Sequence, residues 1–421
     1  MYPKGLIGDR AQIVRLLALM YVPLTVVSVL IRRKKFGTDV ADLLLYHESA
    51  LKLLQGQLPY RDFPLEYPPL ALLPMILPKL VFGQVLGFRS YVCLFWLENV
   101  IFTTLIALLL LQLLRYWQPR QNSLWTLKAY IILVTVSTPI LPWRYDLFPA
   151  LLTLLALLFV LSNRPTIAGI SLGCSFVAKL YPIVLLPIFL IYYLASKKYH
   201  NIVKLLLGFV GASCIVLLPF ALTTGTEMLS FLRYHQLRGL QIESLPAGIL
   251  CLAQVLKLTK VSVVFNYGAF HIVSPLSAAI LKWLPVIFIL SFVGVIASCL
   301  GSFRQEYKTK GTITAQNLVI YIIAALLTFM VTSKVFSPQY IIWLLPFAPF
   351  LRSRQFWLMA AIFAMTMIIF PFGYSRLLQL QAPLVLLLNL RNLSVVVLLL
   401  WLLIETNRKP GKSGLKRQIY Q

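Results

Sequence analysis

Apolar runs of membrane-spanning length recur along almost the whole chain. The 421 residues are 60% hydrophobic and only 12% charged, whereas a soluble domain is about half apolar and a quarter charged. A hydrocarbon core about 30 Å thick requires roughly 20 apolar residues per helix. The sequence therefore predicts an all-α, polytopic transmembrane bundle of about 11–13 membrane helices, built as a single integral membrane domain over residues 1–421.

Twelve segments show this apolar pattern, and they are the predicted spans: Ala11–Ile31, Ser90–Leu114, Leu124–Pro142, Leu147–Leu161, Pro165–Ala178, Pro182–Ser196, Leu205–Leu222, Leu281–Leu300, Asn317–Thr332, Tyr340–Phe350, Phe356–Phe372 and Leu384–Ile404. Two further apolar pieces, Leu70–Phe82 and Ala247–Phe270, are interrupted by prolines and by lysines respectively. Each is compatible with a re-entrant segment or with one that lies in the interface. The chain then divides into a first outer loop (about 32–69), a core (about 11–222), a C-terminal helical part (about 247–404) and a basic cytoplasmic tail (405–421).

The positive charge of the chain predicts its orientation. A net charge of +26 arises from 38 Lys and Arg residues against 12 Asp and Glu residues. The basic residues form short clusters between the apolar runs: Arg115 and Arg120, Lys197 to Lys204, Arg304 to Lys310, Arg352 and Arg354, and 408–417. The positive-inside rule assigns such clusters to the cytoplasm. This predicts a multi-pass protein of the plasma (inner) membrane with its active site on the outer face, although Arg32 to Lys35 argues for the opposite.

The basic residues do not indicate a nucleic acid partner. They are scattered in short clusters, and no basic stripe carries a recognisable nucleic-acid-binding fold. Membrane lipid is the partner that such clusters predict, because anionic headgroups attract basic residues beside a membrane span.

The acidic residues are concentrated in the first loop. Five of the twelve lie there: Asp39, Asp42, Glu48, Asp62 and Glu66. The spacing of Asp42, Tyr46 and Ala50 predicts a short juxtamembrane helix that ends near Gly56, and the prolines that follow predict extended and turning backbone. A carboxylate at a helix start either caps that helix or serves binding and chemistry, and both interpretations stay open.

Three later segments place charges at the ends of apolar runs. Arg144 and Asp146 lie between two spans, and Lys179 and Lys334 each interrupt one. An ionisable group at membrane depth is a functional candidate by default; the alternatives are a local Arg144–Asp146 pair and lysines that snorkel to the interface. Cations suit a phosphate headgroup, a carboxylate suits deprotonation of a hydroxyl, and the tyrosines of the first loop suit stacking on a sugar ring.

Six short motifs, in this order, resemble the GT-C superfamily of integral membrane glycosyltransferases. The resemblance looks closest to the family 87 group of polyprenol-phosphate-mannose-dependent mannosyltransferase-like proteins, and it extends from about Thr38 to Pro346. The motifs are Asp42-x3-Tyr46, Gly56-x2-Pro59-Tyr60-Arg61-Asp62-Phe63, Glu66-Tyr67-Pro68-Pro69, Arg144-x-Asp146, Lys179-x-Tyr181-Pro182 and Ser337-Pro338-Gln339-Tyr340.

This resemblance implies an inverting transferase that uses a polyprenyl-phosphate sugar. The sugar is a hexose or pentose, with mannose as the best guess, and the acceptor is a glycolipid or glycan hydroxyl. The general base of such enzymes is an acid of the first outer loop. By register with Tyr46 and Gly56 this acid is Asp42, with Asp39 as the second choice, while Asp146 would support the acceptor or the base.

The same resemblance implies that Arg144, Lys179 and Lys334 hold the donor phosphate. The loop residues expected at the substrate are Tyr46, Tyr60, Arg61, Asp62, Glu66 and Tyr67. No acidic cluster resembles a cage for a divalent cation, so no metal or other cofactor is expected. The alternative function is a transporter or flippase of lipid-linked sugars, which would place its ionisable residues near mid-membrane and show an internal repeat.

Overall fold

The computed structural model describes residues 6–33, 39–80, 83–117 and 123–407. Within these ranges the protein is a helical bundle, and six helical stretches are long and apolar enough to cross a membrane. The predicted all-α membrane bundle is therefore confirmed. Arg120 and the tail beyond residue 407 lie outside the described residues, as do the side chains of Asp39 and of Arg32 to Lys35.

Sixteen α-helices run through the described residues: α1 (Leu6–Arg33), α2 (Asp39–Leu54), α3 (Leu72–Ile76), α4 (Phe88–Leu113), α5 (Ser123–Ser137), α6 (Leu147–Leu161), α7 (Pro165–Ala178), α8 (Leu186–Ala195), α9 (Tyr199–Thr224), α10 (Ser230–Leu237), α11 (Leu245–Val255), α12 (Ser277–Lys310), α13 (Ala315–Thr332), α14 (Ser353–Met367), α15 (Tyr374–Leu378) and α16 (Ala382–Asn407). The six candidate spans contain α4, α9, α12, α13, α14 and α16. The predicted juxtamembrane helix of the first loop is α2, and it ends before Gly56, whose φ of +81° suits glycine.

Most predicted spans coincide with α-helices, and α6 and α7 match theirs at both ends. The prediction of a helical span at Tyr340–Phe350 is wrong. The chain there forms 3-10 turns at Pro338–Trp343 and Ala348–Phe350, because the prolines of this stretch remove backbone donors that a continuous helix needs.

The two ambiguous apolar pieces have different structures. Leu70–Phe82 contains the five-residue α3 between 3-10 turns, which at 1.5 Å per residue is far too short to cross a bilayer. Ala247–Phe270 splits into α11 and most of a β-hairpin. The hairpin consists of β2 (Ser262–Asn266) and β3 (Ala269–Val273), and the two-residue β1 (Leu240–Gln241) pairs with β3, so the antiparallel strand order is β1-β3-β2.

Two short helices form an antiparallel hairpin in the interior of the bundle. The 15 residues of α6 and the 14 residues of α7 rise only about 22 Å, which is less than the thickness of a hydrocarbon core. Most of α6 is buried. Since the two helices are nearly equal in length, the residue before α6 and the residue after α7 meet at the same end of the hairpin. Those residues are Asp146 and Lys179.

Glycines let α7 approach α9 closely. A Cβ atom at Gly169 would lie 2.1 Å from the Leu205 carbonyl oxygen, and one at Gly208 would lie 2.2 Å from the Thr166 carbonyl oxygen. Small residues at such spacing allow helix backbones to pack in a membrane, where apolar surface alone gives no driving force between helices. This contact fixes α7, and with it Lys179, against a long helix.

The basic clusters that follow or begin helices lie at the end of the bundle opposite the start of α6. Arg115 follows α4, Lys197 follows α8, and Lys310 ends α12. At this end the Trp117 indole donates to Gln316 (2.8 Å), whose side chain donates to the carbonyl of Phe350 (2.9 Å). The bundle therefore has one strongly basic end and one end that carries Asp146 and Lys179.

Candidate functional site

A cavity of about 890 Å³ lies at the end of the bundle where α6 begins and α7 ends. Its walls come from segments that are far apart in sequence: α2, the loop at Glu66, the residues between α5 and α6, the end of α7, α10 with the following β1, the β2–β3 hairpin and the turn at Ser337 to Tyr340. The structure thus brings Asp42, Glu66, Tyr67, Arg144 and Lys179 of the predicted site residues to one cavity.

Asp42 and Arg144 form an ion pair in the cavity wall. Asp42 stands in the first turn of α2, and Arg144 follows a 3-10 turn at Leu141–Trp143. The Arg144 side chain is 6% exposed and that of Asp42 is 30% exposed, so the carboxylate is the more accessible partner. Arg144 therefore links the first loop to the start of α6 from a buried position.

Asp146 and Lys179 form a second ion pair, in which Asp146 is buried and Lys179 is partly exposed. The Lys179 Nζ atom donates to Asp146 Oδ1 at 2.6 Å, and the Trp343 indole donates to the same oxygen at 2.6 Å. Asp146 stands at the N-terminal, positive end of α6 and Lys179 at the C-terminal, negative end of α7, so the dipoles of both helices favour these charges. Burial lowers the pKa of Lys179, and the Asp146 carboxylate opposes that shift.

These contacts give Asp146 and Lys179 different positions relative to the cavity. Lys179 lines it and also lies over the Tyr145 ring, 4.7 Å from the centroid. Asp146 is 1% exposed and packs against Trp343. Asp146 is thereby placed to hold Lys179, whereas Lys179 is placed to contact a ligand.

The tyrosines of the first loop separate into one wall residue and two supporting residues. Tyr67 lines the cavity, and its ring lies 5.1 Å from that of Tyr145. Tyr46 is buried against Tyr145 at 5.7 Å, and the Tyr60 hydroxyl donates to the Tyr67 carbonyl at 2.7 Å. Tyr46 and Tyr60 therefore hold the wall from behind.

The remaining loop residues also separate. Arg61 and Asp62 bond to each other on the surface at 2.9 Å, and Asp62 accepts from the Leu58 main chain at 2.7 Å, which fixes the loop turn. Glu66 lines the cavity and hydrogen-bonds the Tyr234 hydroxyl. Tyr234 in turn packs against Tyr267 of the β2–β3 turn, so Glu66 joins the loop to the far wall.

Lys334 lies near the cavity, and its hydrogen bonds join main-chain segments of the protein to each other. Its Nζ atom donates to the Gln236 carbonyl at 2.7 Å, and its own carbonyl accepts from the Gln241 main chain at 2.9 Å. Burial and the charge of Arg238 lower the pKa of Lys334. These bonds tie the end of α13 to the α10–β1 connection, and Lys334 is not among the described residues that line the cavity.

Besides the exposed Arg233, two charged residues that the motifs did not include lie in the opposite wall. Arg238 lines the cavity, and its buried Nε atom has no hydrogen-bond partner among the described residues. Glu243 also lines the cavity although it is only 1% exposed. Both belong to the segment between α9 and α11, where only one local signal was available: a cluster of charges between two apolar runs.

Glu243 is held from two sides by residues of the last helices. The Arg391 guanidinium donates to the Glu243 main-chain carbonyl at 2.8 Å and lies 4.0 Å from the centroid of the Phe336 ring. The Tyr374 hydroxyl hydrogen-bonds the Glu243 carboxyl group. Burial raises the pKa of Glu243 to about 7, against the opposing charge of Arg391.

Among the described residues, no group of three or more His, Cys, Asp and Glu side chains is arranged to hold a metal ion. The cavity instead combines carboxylates, cations and aromatic rings. Such a wall can bind an anion at its cations, accept protons or hydrogen bonds at its carboxylates and contact an apolar ring at its tyrosines.

No protein-family model matches the chain, and no curated protein is significantly similar to it.

Proposed function

We propose that the protein is a membrane glycosyltransferase that moves a hexose or pentose, most simply mannose, from a polyprenyl-phosphate donor to a glycolipid or glycan hydroxyl. The observation that supports it best is the cavity, where Asp42 and Glu66 of the acid-rich loop meet Arg144 and Lys179 from interior helix ends. Carboxylates beside buried cations suit a reaction in which a hydroxyl loses a proton while a phosphate leaves. The resemblance of the motifs to the GT-C superfamily supports the same reaction.

In this proposal one proton is transferred, one bond to C1 of the sugar forms and one bond to C1 breaks. The acceptor oxygen attacks C1 of the donor sugar from the face opposite the phosphate, and Asp42 takes the hydroxyl proton. The bond between C1 and the phosphate oxygen breaks, and its electron pair leaves with polyprenyl phosphate. The product therefore has inverted configuration at C1. Cations at the phosphate stabilise the charge that develops on the leaving group.

Lys179, Arg144 and Arg238 are the cations that we assign to the donor phosphate. Lys179 and Arg238 line the cavity, and Arg238 has a buried donor to offer. Arg144 pairs with Asp42, so a bound phosphate would give this guanidinium a second anion. That shift would release the Asp42 carboxylate toward the acceptor hydroxyl. Asp39 remains the second choice for the base.

We further propose that the cavity faces outward from the plasma membrane. The support is the basic end of the bundle, which by the positive-inside rule belongs in the cytoplasm, while the cavity lies at the other end. A cysteine placed at exposed Gln55, in a variant without its native cysteines, should react with an impermeant thiol reagent added outside intact cells. A cysteine at exposed Lys197 should not. The reverse pattern would refute this orientation.

The function is tested with purified protein in lipid nanodiscs and a panel of polyprenyl-phosphate sugars. We expect one donor to be consumed and its sugar to appear on an added glycolipid or glycoside, while sugar nucleotides remain unused. Asp42→Asn should slow transfer by about 10²–10⁴-fold, because only the proton acceptor is lost, with donor binding retained. Asp39→Asn is the matched variant, and slow transfer in it alone would move the base to Asp39.

The alternative function gives a different result in the same preparation. A transporter or flippase moves a lipid-linked sugar across proteoliposomes without consuming it. Intact donor in every assay, together with its movement between leaflets, would refute the transferase.

A further inference from the structure

We propose that Glu243 binds a sugar hydroxyl and is the residue with which the cavity selects its sugar. This inference rests on the proposed function in one respect, namely that the ligand carries a sugar. The geometry that supports it lies in the wall opposite Asp42, at a carboxylate that none of the motifs contains.

The Glu243 carboxylate has capacity for a ligand. The residue is 1% exposed, yet it lines the cavity, and its Oε2 atom has no hydrogen-bond partner among the described residues. A buried polar atom without a partner is rare in native proteins and calls for an explanation. A donor supplied by a ligand in the cavity would satisfy this oxygen.

The surroundings of Glu243 favour a hydroxyl over the other donors that a ligand can offer. The phosphate end of a donor would be repelled by the ionised form of this carboxylate. A metal ion would need further acidic or histidine ligands, and the described residues offer no such group. The neighbouring wall is aromatic, with Tyr340, Tyr374 and Phe270 lining the same cavity. A carboxylate beside aromatic faces suits a sugar, which is a neutral ring edged by hydroxyls.

A purely structural role explains less of this geometry. Arg391 donates to the main-chain carbonyl of Glu243. This bond joins the residues just before α11 to α16, and it does not need the Glu243 carboxylate. Asn392 likewise donates to the Ser244 carbonyl, at 3.3 Å. Main-chain bonds already join these elements, and although Tyr374 bonds the carboxyl group, its Oε2 atom is left to contact the cavity.

The test compares ligands that differ only in the sugar. In nanodiscs, calorimetry measures the affinity of the full chain for polyprenyl-phosphate mannose and for polyprenyl phosphate. A second arm measures octyl mannoside and octanol in the presence of polyprenyl phosphate. If Glu243 binds the sugar of the donor, Glu243→Gln should reduce the gain in affinity that the sugar gives in the first arm by about tenfold or more. This is the usual effect of losing a hydrogen bond to a charged group. If Glu243 binds the sugar of the acceptor, the loss of affinity should appear in the second arm.

Glu98→Gln is the matched control. Glu98 is a buried carboxylate of α4, and both of its oxygens lack hydrogen-bond partners among the described residues, but it does not line the cavity. This variant should retain both sugar-dependent gains. Thermal melting confirms that each variant is folded, and because Gln keeps the size of Glu and can still bond Tyr374, Glu243→Gln should melt as a folded protein.

The outcomes separate this inference from the proposed reaction. Unchanged gains in both arms for Glu243→Gln, or no sugar-dependent gain in the wild type, would overturn the assignment of Glu243 even if transfer is observed. A gain that depends on Glu243 without any transfer would support the assignment and overturn the proposed reaction.

Discussion

The acidic residues in the two walls of the cavity have different partners. In the first wall, which consists of the start of α2 and the ends of α6 and α7, each acid faces a cation: Asp42 pairs with Arg144, and Asp146 pairs with Lys179. In the second wall, between α10 and α11, the guanidinium nearest Glu243 bonds to its main chain. One wall is thus organised around charge pairs, and the other leaves a carboxylate oxygen available.

The first wall itself contains two kinds of pair. The Asp42 carboxylate is partly exposed and lines the cavity, whereas the Asp146 carboxylate is buried beneath Lys179 and Trp343. A carboxylate paired with a cation is therefore accessible from the cavity at one position and holds Lys179 from a buried position at the other. Breaking each wall in turn should separate these roles.

Removing the buried acid should have the largest effect on stability. Asp146→Ala leaves the Lys179 ammonium buried without its counter-charge, and loss of one partner of a buried pair costs about 3–5 kcal/mol. We expect a marked fall in melting temperature. A double variant, Asp146→Leu with Lys179→Met, should recover most of it, because no uncompensated charge remains. A single variant as stable as the wild type would show that the pair does not organise the wall.

The stability of the second wall should depend on pH through Glu243. Burial raises the pKa of Glu243 from an ordinary 4.5 to about 7, so between these values the folded state binds a proton that the unfolded state has lost. Stability is then fully present below about pH 4.5 and is lost as pH rises through 7. The shift corresponds to about 3 kcal/mol.

This dependence is measured as the difference between wild type and Glu243→Gln in unfolding experiments from pH 4.5 to pH 8. The groups that face Glu243 are Arg391 of α16, Arg238 ahead of β1 and Tyr374 of α15, and none of these has an ordinary pKa within this range. The wild type should lose stability relative to the variant as pH rises. If stability changes with pH equally in the wild type and in Glu243→Gln, the pKa of Glu243 is not raised and the prediction fails.

The first wall was largely predictable from sequence, and the second was not. The ends of α6 and α7 follow from apolar runs with a charge at each boundary, and two half-length helices of equal size bring Asp146 to Lys179. The partner of Arg144 was not predictable, because sequence proximity suggested Asp146 while the ion pair forms with Asp42, about a hundred residues earlier. Pairing across such separations depends on packing that no local pattern encodes.

The second wall depends on elements that a membrane pattern conceals. The apolar piece that contains α11 also contains the β-branched run of β2, and its reversal at Tyr267 and Gly268 requires positive φ at both residues. Glu243 and Arg238 stand in a connection of ordinary polarity, and only the return of α15 and α16 to that connection buries Glu243. The sequence therefore shows charges in this connection, but their position in the cavity wall is visible only in three dimensions.

Variants of two cations, Arg238 and Lys334, should have the smallest effects on affinity and stability. They test which of the two cations contacts a ligand. Arg238 lines the cavity with an available donor, whereas Lys334 is bonded to the Gln236 carbonyl. Arg238→Met should weaken binding of polyprenyl phosphate by about 10–100-fold, as expected for a lost charge-assisted hydrogen bond. Lys334→Met should cost about 1 kcal/mol of stability and leave that affinity within about twofold, because a main-chain bond and not a phosphate contact is lost. Equal losses of affinity in calorimetric titrations of both variants would return Lys334 to the phosphate site and extend the charged wall across the α10–β1 connection.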